Sequence, residues 1–537
     1  MYQPKVILVV MDGWGYSEIT KGNAIALAKK PNFDRLWQNY PHALIEAAGE
    51  PVGLPWGNVG SSEVGHTCLG SGRIINQDLP RVSKAIASGM FFKNSVLIDT
   101  INYAKKNKTS LHFVGLVSAG GVHSHIDHLF ALLETLKQHH FKQPSYIHMF
   151  TDGRDTPIKT ALLYINKLES RIQALRLNTR IASIIGRYYS MDRDSHWERT
   201  FAAYDCMVLG RGETAHSAGE AILGAYARGE TDEFIKPTAI INFPKEQGVF
   251  DRLFPKQSEI STKPQGLIKD GDSIIFFNFR PERIRQLVET FMLPQQKYPE
   301  KKLLKNVQVA SIVEYEENLP IRVVLPTEKI ENPLSKVISA QGLKQLHATE
   351  TEKYAHATYF FDGGSPVPYP GEEWAVIQSP KVPTYDLRPE MSASKVTDEI
   401  FKRSENNQYD FIMINFANTD MVGHTGNLKA TIKAVEAVDK ELGRLTSQFP
   451  ETIFLITADH GNAERMFNSE SNQIDTEHSV SPVPFILVGP QYKKNPLQQS
   501  EKKAVGILAD IAPTVLDILS LEQPPEMTGY SLLDALL

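Results

Sequence analysis

Short runs of Val, Ile, Leu, Met and Phe recur along the chain, and several share one form: a near-continuous apolar run, then an acidic or polar residue, then glycine or a helical pattern. Val6–Met11 stops at Asp12-Gly13, Phe411–Phe416 leads into Asn418-Thr419-Asp420, and Thr452–Thr457 leads to Asp459-His460-Gly461. A strand wet on one face alternates apolar and polar residues, whereas a strand covered on both faces does not, so these runs predict a parallel sheet with helices on either side. Ligands of such sheets sit beyond the carboxyl ends of the strands, which is where the acidic residues fall. The same reading predicts strands at Leu111–Val117, Tyr146–Phe150, Arg180–Ile185 and Ser273–Phe277, and a helix at His128–Lys137. It also predicts an amphipathic C-terminal helix around Ile511–Leu519 and a surface loop over the Lys/Gln-rich Gln491–Lys503.

The order of the polar motifs bears on domain assignment. Strand ends rich in Asp and His fall at the start of the sequence and in its last quarter, whereas Arg-rich motifs fill the stretch between about Asp152 and Arg285. If the Asp and His residues form one site, the two ends belong to one domain and the middle is an insertion, with crossings near Asn76–Pro80 and Ala310–Leu319. The expected architecture is α/β: a discontinuous doubly wound sheet domain, residues 1–77 plus 316–537, interrupted by an inserted α/β domain, 78–315. At 537 residues the chain is long enough for both to bury a stable core.

Composition narrows the partners. The formal net charge is -5, with 57 basic against 62 acidic side chains, so nothing in the balance points to a nucleic acid or an anionic membrane. An anionic ligand must be held by a local cluster. Cys68 and Cys206 are the only cysteines, too few for a disulfide framework or a cysteine zinc site, which suits a reducing compartment such as the cytoplasm. Val6–Met11 is too short for a signal-peptide core and lacks a cleavage-site pattern, and no apolar stretch approaches the roughly 20 residues that span a bilayer.

Asp12, Asp420, His424, Asp459, His460 and His478 are carboxylates or imidazoles at or just after these strand ends. Mixed Asp/His ligands suit manganese or zinc, whereas calcium and magnesium sites are built mainly from oxygen. Six candidates exceed one tetrahedral site and suit a pair of ions roughly 4 Å apart, the arrangement that clamps the oxygens of a phosphoryl transfer. Taken singly, Asp12 before Gly13 reads as a turn or helix cap, and His424 or His478 as a hydrogen-bonded loop histidine. The Asp459-His460 pair is harder to explain that way, because two polar groups follow a fully apolar strand. Gly60-Ser61-Ser62-Glu63-Val64-Gly65-His66 reads as a tight turn opening a helix. A hydroxyl there caps the helix, and the same helix end is an anion site where a nearby metal would make the hydroxyl a nucleophile.

The inserted region contributes Arg154, Arg187, Arg193, Arg280 and Arg283, each in a turn-like or glycine-flanked setting. Alone, each reads as a surface salt bridge worth little; together they offer planar forks for phosphate or carboxylate. His123-Ser124-His125 invites a metal reading, since on a strand the two imidazoles would face one side.

Nine strings then occur in a fixed order: Asp12-Gly13-Trp14-Gly15, Ser61-Ser62-Glu63-Val64-Gly65-His66, Gly120-Gly121-Val122-His123-Ser124-His125, Asp152-Gly153-Arg154-Asp155, Gly186-Arg187 through Asp194, Phe279-Arg280-Pro281-Glu282-Arg283, Thr351-Glu352-Lys353-Tyr354, Asn418 through His424, and Ala458-Asp459-His460-Gly461-Asn462. Together they resemble the cofactor-independent phosphoglycerate mutases over essentially the whole chain. The resemblance implies an alkaline-phosphatase-like metal domain interrupted by a phosphotransferase domain, and conversion of 3-phosphoglycerate to 2-phosphoglycerate in glycolysis and gluconeogenesis with no 2,3-bisphosphoglycerate. It assigns Asp12, Ser62, Asp459 and His460 to one manganese and Asp420, His424 and His478 to the other. Ser62 becomes the phosphorylated nucleophile, chosen because it directly precedes Glu-Val-Gly-His; Ser61 stands where the family has asparagine. His123, Arg154, Asp155, Arg187, Arg193, Arg280, Arg283 and Lys353 become substrate contacts, with Asp155 as acid or base and Lys353 neutralising charge on the phosphoryl group. A monomer closing two domains over its substrate completes the expectation. The competing readings are a metal-dependent phosphomonoesterase, against which the arginines count, and a non-catalytic sensor of phosphorylated metabolites, against which a nucleophile among metal ligands counts.

Overall fold

The computed structural model describes residues 2–241, 263–294, 301–468, 471–493 and 503–537, and the chain forms two units: Met1–Gln77 with Lys329–Leu537, and Asp78–Glu328. Residues 316–328 belong to the second unit, although the sequence reading assigned them to the first. Arg322–Leu325 pairs in parallel with Gln308–Val313 and extends that unit's sheet by one strand. The expected loop at Gln491–Lys503 lies largely outside the described residues.

The sheet of the first unit runs Glu372–Ile377, Gln345–Glu350, Phe411–Phe416, Val6–Met11, Ile453–Thr457, Val483–Val488, His42–Glu46, Ala504–Ile507. The first five are parallel neighbours. Val483–Val488 runs antiparallel to both of its neighbours, so the sheet is mixed at one end. Every residue of Val6–Met11 and Phe411–Phe416 is buried, which explains the lack of alternation. The long helix Leu428–Gln448 packs with Ala24–Leu27, Pro31–Asn39 and Ala393–Asn406, while Ser62–Ser71 packs with Leu334–Ala340 and Ile511–Ile518.

The second unit repeats the plan. Its sheet runs Arg322–Leu325, Gln308–Val313, Ser273–Phe276, Leu111–Leu116, Ser145–Thr151, Thr179–Gly186, Thr238–Ile240, Glu213–Ala215, parallel as far as Thr179–Gly186 and antiparallel at the next pair. Among the described residues no helix is long and apolar enough to cross a membrane.

One contact fixes where the helix Ser62–Ser71 lies. Gly65 sits so close to the strand-end loop that a Cβ there would meet the Asp459 carbonyl oxygen at 2.5 Å and its Cβ at 2.9 Å. The helix approaches because residue 65 has no side chain. Gly65→Ala should therefore destabilise the protein by about 1–3 kcal/mol of overpacking despite alanine's better helix propensity, seen as a lower midpoint of thermal unfolding; an unchanged or higher midpoint contradicts this packing.

Candidate metal centre and arginine cluster

Four adjacent parallel strands of the first unit deliver five groups from their carboxyl ends. Lys353 follows Gln345–Glu350, Asp420 lies on the short helix after Phe411–Phe416, Asp12 follows Val6–Met11, and Asp459-His460 follows Ile453–Thr457. Asp12, Asp459 and His460 are wholly buried, and Asp420 and Lys353 nearly so. Lys353 Nζ lies 2.7 Å from Asp12 Oδ1, 2.7 Å from Asp420 Oδ2 and 2.6 Å from Ser62 Oγ. Burial alone would lower its pKa; the carboxylates of Asp12, Asp420 and Asp459 outweigh burial and raise it, so the ammonium stays charged. Burial and the neighbouring Asp459 charge raise the pKa of Asp12, against the opposing pull of Lys353.

The two serines divide the roles that the sequence left together. Ser61 is the N-cap, and its hydroxyl accepts from the Val64 amide. Ser62, the first helical residue, is buried with its hydroxyl facing the charged groups: Asp12 Oδ1 at 3.3 Å, His460 Nε2 at 2.9 Å and the Lys353 ammonium. His460 Nδ1 is engaged by the Gly461 carbonyl at 3.3 Å, which leaves the Nε2 lone pair towards Ser62.

His424 and His478 supply the firmest test of whether cations fit. His424 Nδ1 lies 2.8 Å from the Thr476 carbonyl and His478 Nδ1 lies 2.8 Å from the Gly60 carbonyl. A carbonyl oxygen only accepts, so both Nδ1 atoms carry hydrogen. The two Nε2 atoms then face each other at 3.0 Å, each 3.2 Å from Asp420 Oδ1. Two imidazole lone pairs and a carboxylate turned on one another repel unless a proton or a metal ion joins them. Asp420, His424 and His478 thus fit one ion. Asp12, Asp459 and His460 form a second group whose ligand atoms lie within 4.8 Å of one another, and Asp459 Oδ2 is buried between imidazoles, 3.2 Å from His66 Nδ1 and 3.5 Å from His460 Nε2. A third buried group, His347, Asp362 and Glu372, differs in being held by hydrogen bonds from Ser335 Oγ, Trp374 Nε1 and the Tyr369 amide, although Asp362 Oδ2 and His347 Nε2 are left without one.

Several residues that the sequence reading passed over support these ligands. Asn415 Nδ2 donates to Asp12 Oδ2 at 2.8 Å and lies 3.0 Å from His66 Nε2, while His66 Nδ1 faces the Ser62 carbonyl at 2.8 Å. Asn462 Nδ2 donates to Asp420 Oδ1 at 3.0 Å. Asn415 had a sequence signal, a lone amide inside the apolar strand Phe411–Phe416.

In the second unit four adjacent parallel strands again present their carboxyl ends. Ser145–Thr151 leads into Asp152–Asp155, Thr179–Gly186 into Arg187, Leu111–Leu116 into the loop of His123, and Ser273–Phe276 into Arg280 and Arg283. Arg187, only 3 % exposed, donates to Asp152 Oδ1 at 2.7 Å and to Asp155 Oδ2 at 2.5 Å. The Phe279 amide donates to the His123 carbonyl at 2.8 Å, tying those two loops together. Burial, then repulsion from Arg193, Arg154 and Arg187, lowers the pKa of Arg283, so four of the five arginines share one region. Unlike Arg187, three of the arginines have loose acidic partners: Arg154 to Glu233 at 3.8 Å, Arg193 to Asp194 at 3.9 Å, and Arg280 to Glu282 at 3.6 Å. Burial and Arg187 push His123 down to about 4, so it is a neutral hydrogen-bonding group at pH 7. The strand that would have aligned His123 with His125 does not form; His125 is instead the N-cap of Ile126–Gln138, accepting from the Asp127 amide.

A family profile described as the metalloenzyme superfamily matches residues 4–523. A 2,3-bisphosphoglycerate-independent phosphoglycerate mutase of Clostridioides difficile is 46% identical over 99% of this chain and 100% of its own length. The chain belongs to that mutase family. A mutase of the same name from Chloroflexus aurantiacus is 44% identical over 99% of both chains. Crystal structures of Leishmania mexicana phosphoglycerate mutase at low cobalt concentration include a chain 28% identical, with a TM-score of 0.58, covering 98% of this chain and 97% of that one. The cluster of carboxylates and imidazoles around Ser62 accords with the divalent-metal dependence of the mutase family.

The metal-free state makes a testable statement about protons. A hydrogen bond to Asp420 raises the pKa of His424; burial lowers that of His478, but its bond to Asp420 outweighs this and raises it. Pairing of this kind stabilises the metal-free fold fully below the unfolded histidine pKa of about 6.5 and is lost as pH rises through the higher folded values. Metal ligation needs the neutral imidazoles. Titrating Mn2+ into metal-stripped protein near neutral pH should therefore release protons into a weakly buffered solution, and His478→Ala should reduce that release; binding without proton release contradicts the assignment.

Proposed function

We propose that the chain interconverts 3-phosphoglycerate and 2-phosphoglycerate, the glycolytic and gluconeogenic reaction, by passing the phosphoryl group through Ser62. Family membership carries the reaction class, the need for divalent metal and the independence from 2,3-bisphosphoglycerate. One observation supports the residue roles above the others: Lys353 Nζ, Asp12 Oδ1 and His460 Nε2 converge on a buried serine hydroxyl. Asp12, Ser62, Asp459 and His460 would hold one ion, and Asp420, His424 and His478 the other. When bound, the ions lower the pKa of the serine hydroxyl and offset charge on the phosphoryl oxygens.

Ser62 Oγ, which would enter as the alkoxide stabilised by the bound ions after losing its proton to solvent, bonds to phosphorus as the bond from phosphorus to the substrate's 3-oxygen breaks, and Asp155, starting protonated, gives the departing oxygen its proton. In the second step Asp155 takes the proton of the 2-hydroxyl, that oxygen bonds to phosphorus, and the bond to Ser62 Oγ breaks. Arg187 holds the Asp155 carboxylate through its 2.5 Å bond, and the fixed Lys353 charge stabilises the transferring group. Arg154, Arg193, Arg280 and Arg283, with His123, bind the glycerate carboxylate and hydroxyls and retain it between steps. Their weak internal pairing leaves them open to an incoming anion.

Manganese in both positions is supported by the mixed oxygen and imidazole donors. Two free, buried cysteines, whose thiols burial pushes up to about 12, suit the cytoplasm. A monomer suits a set of functional groups drawn from one chain.

Ser62→Ala should abolish mutase turnover, a loss of about 10³-fold or more for removal of a nucleophile. Ser61→Ala should keep the activity and lose only the cap, about 1 kcal/mol of stability; the reverse pattern in paired mutase assays sinks the assignment. Arg283→Gln should cut kcat/KM for 3-phosphoglycerate by about 10–100-fold through loss of a charged hydrogen bond. If that variant is unaffected and the enzyme mainly releases inorganic phosphate, the phosphomonoesterase reading replaces this one.

A further inference from the structure

Glu464 lies outside every group assigned so far, yet it is 2 % exposed and carries a carboxylate with no cationic partner among the described residues. Its Oε2 accepts from the Gly15 amide at 3.2 Å and from the Asn462 amide at 2.8 Å, and its Oε1 accepts from the Ser479 hydroxyl. Each donor belongs to a different loop: Gly15 follows Asp12, Asn462 follows Asp459-His460, and Ser479 follows His478. The fit is close on two sides. A Cβ at Gly15 would meet Glu464 Cδ at 2.3 Å, and a Cβ at Gly461 would meet Ser479 Oγ at 2.3 Å and Glu464 Oε1 at 2.6 Å. Ser479 carries the tie further, because its amide donates to the Gly461 carbonyl at 2.9 Å and its carbonyl accepts from the Gly60 amide, just before Ser61-Ser62.

We propose that Glu464 is a positioning residue that sets the spacing of the three loops carrying Asp12, Asp459-His460 and His478. This rests on the reading of those residues as metal ligands. A buried carboxylate that spends its acceptors on three neutral donors is costly unless their arrangement matters. A neutral residue of similar size could fill the same volume, but not accept from all three donors. Outer groups of this kind orient ligands and tune metal affinity without touching the ion.

The test uses metal-stripped full-length protein titrated with Mn2+ by calorimetry, with the thermal midpoint of the metal-free form and kcat measured alongside. Glu464→Gln keeps the shape but turns one donor face towards the loops. Its Mn2+ affinity should fall about 10–100-fold, its metal-free midpoint should stay near wild type, and its kcat should recover at saturating Mn2+. Glu464→Asp, which keeps the charge but shortens the reach, should show a smaller loss of affinity. Ser479→Ala removes a single arm and should weaken binding in the same direction, and it decides the matter alone if Glu464→Gln fails to fold. Unchanged Mn2+ affinity in these variants beside normal wild-type binding overturns the role of Glu464. So does a lowered metal-free midpoint with intact affinity, the result of a merely structural role. A wild-type chain that takes up no Mn2+ overturns the metal-centre reading and this inference with it.

Discussion

Asp12, Asp420 and Asp459 are carboxylates buried around one ammonium group, Lys353, and most of what distinguishes the first unit follows from keeping them there. Burying an uncompensated charge is prohibitive, so three such groups persist only where positive charge is supplied. Lys353 supplies part of it. The opposed Nε2 atoms of His424 and His478, both turned on Asp420, mark where more is wanted. The sheet makes the arrangement possible, because four adjacent parallel strands end together and each releases one charged group from a rigid element. The surrounding amides and hydroxyls, Asn415, Asn462 and the Glu464 tie, hold those groups in one geometry that the bare chain would not adopt.

The second unit uses the same device with the opposite sign. Parallel strand ends present Arg187, Arg280 and Arg283, and the burial and repulsion that lower the Arg283 pKa are the counterpart of the burial and repulsion that raise that of Asp12. Each unit is electrostatically incomplete, one in want of cations and the other of an anion. Under the proposed function, a phosphorylated hydroxy acid and divalent metal answer both needs.

Much of this was legible in the sequence, for a physical reason. Strands buried on both faces lose alternation and end abruptly at polar residues, so Val6–Met11 and Phe411–Phe416 can be read to the residue. Pairing partners are non-local, and neither the antiparallel course of Val483–Val488 nor the extra strand Arg322–Leu325 leaves a local mark. The second of these shifted the return to the first unit beyond residue 316. The metal reading of His123 and His125, set aside in favour of a substrate contact for His123, has meaning only on a strand, and a helix cap stands there instead. Ser61 and Ser62 are chemically alike in sequence and part only when the helix register sends one hydroxyl to a backbone amide and the other among the charges. Glu464 shows the limit most clearly, since its partners lie in loops from both ends of the chain.

The most direct test of the whole account is mass spectrometry of the protein quenched during turnover with 3-phosphoglycerate and Mn2+, with fragmentation across the peptide that holds both serines. The account predicts a phosphoryl group on Ser62. A phosphoryl group on Ser61 or elsewhere, or an enzyme that turns over with no phosphorylated form, would contradict it.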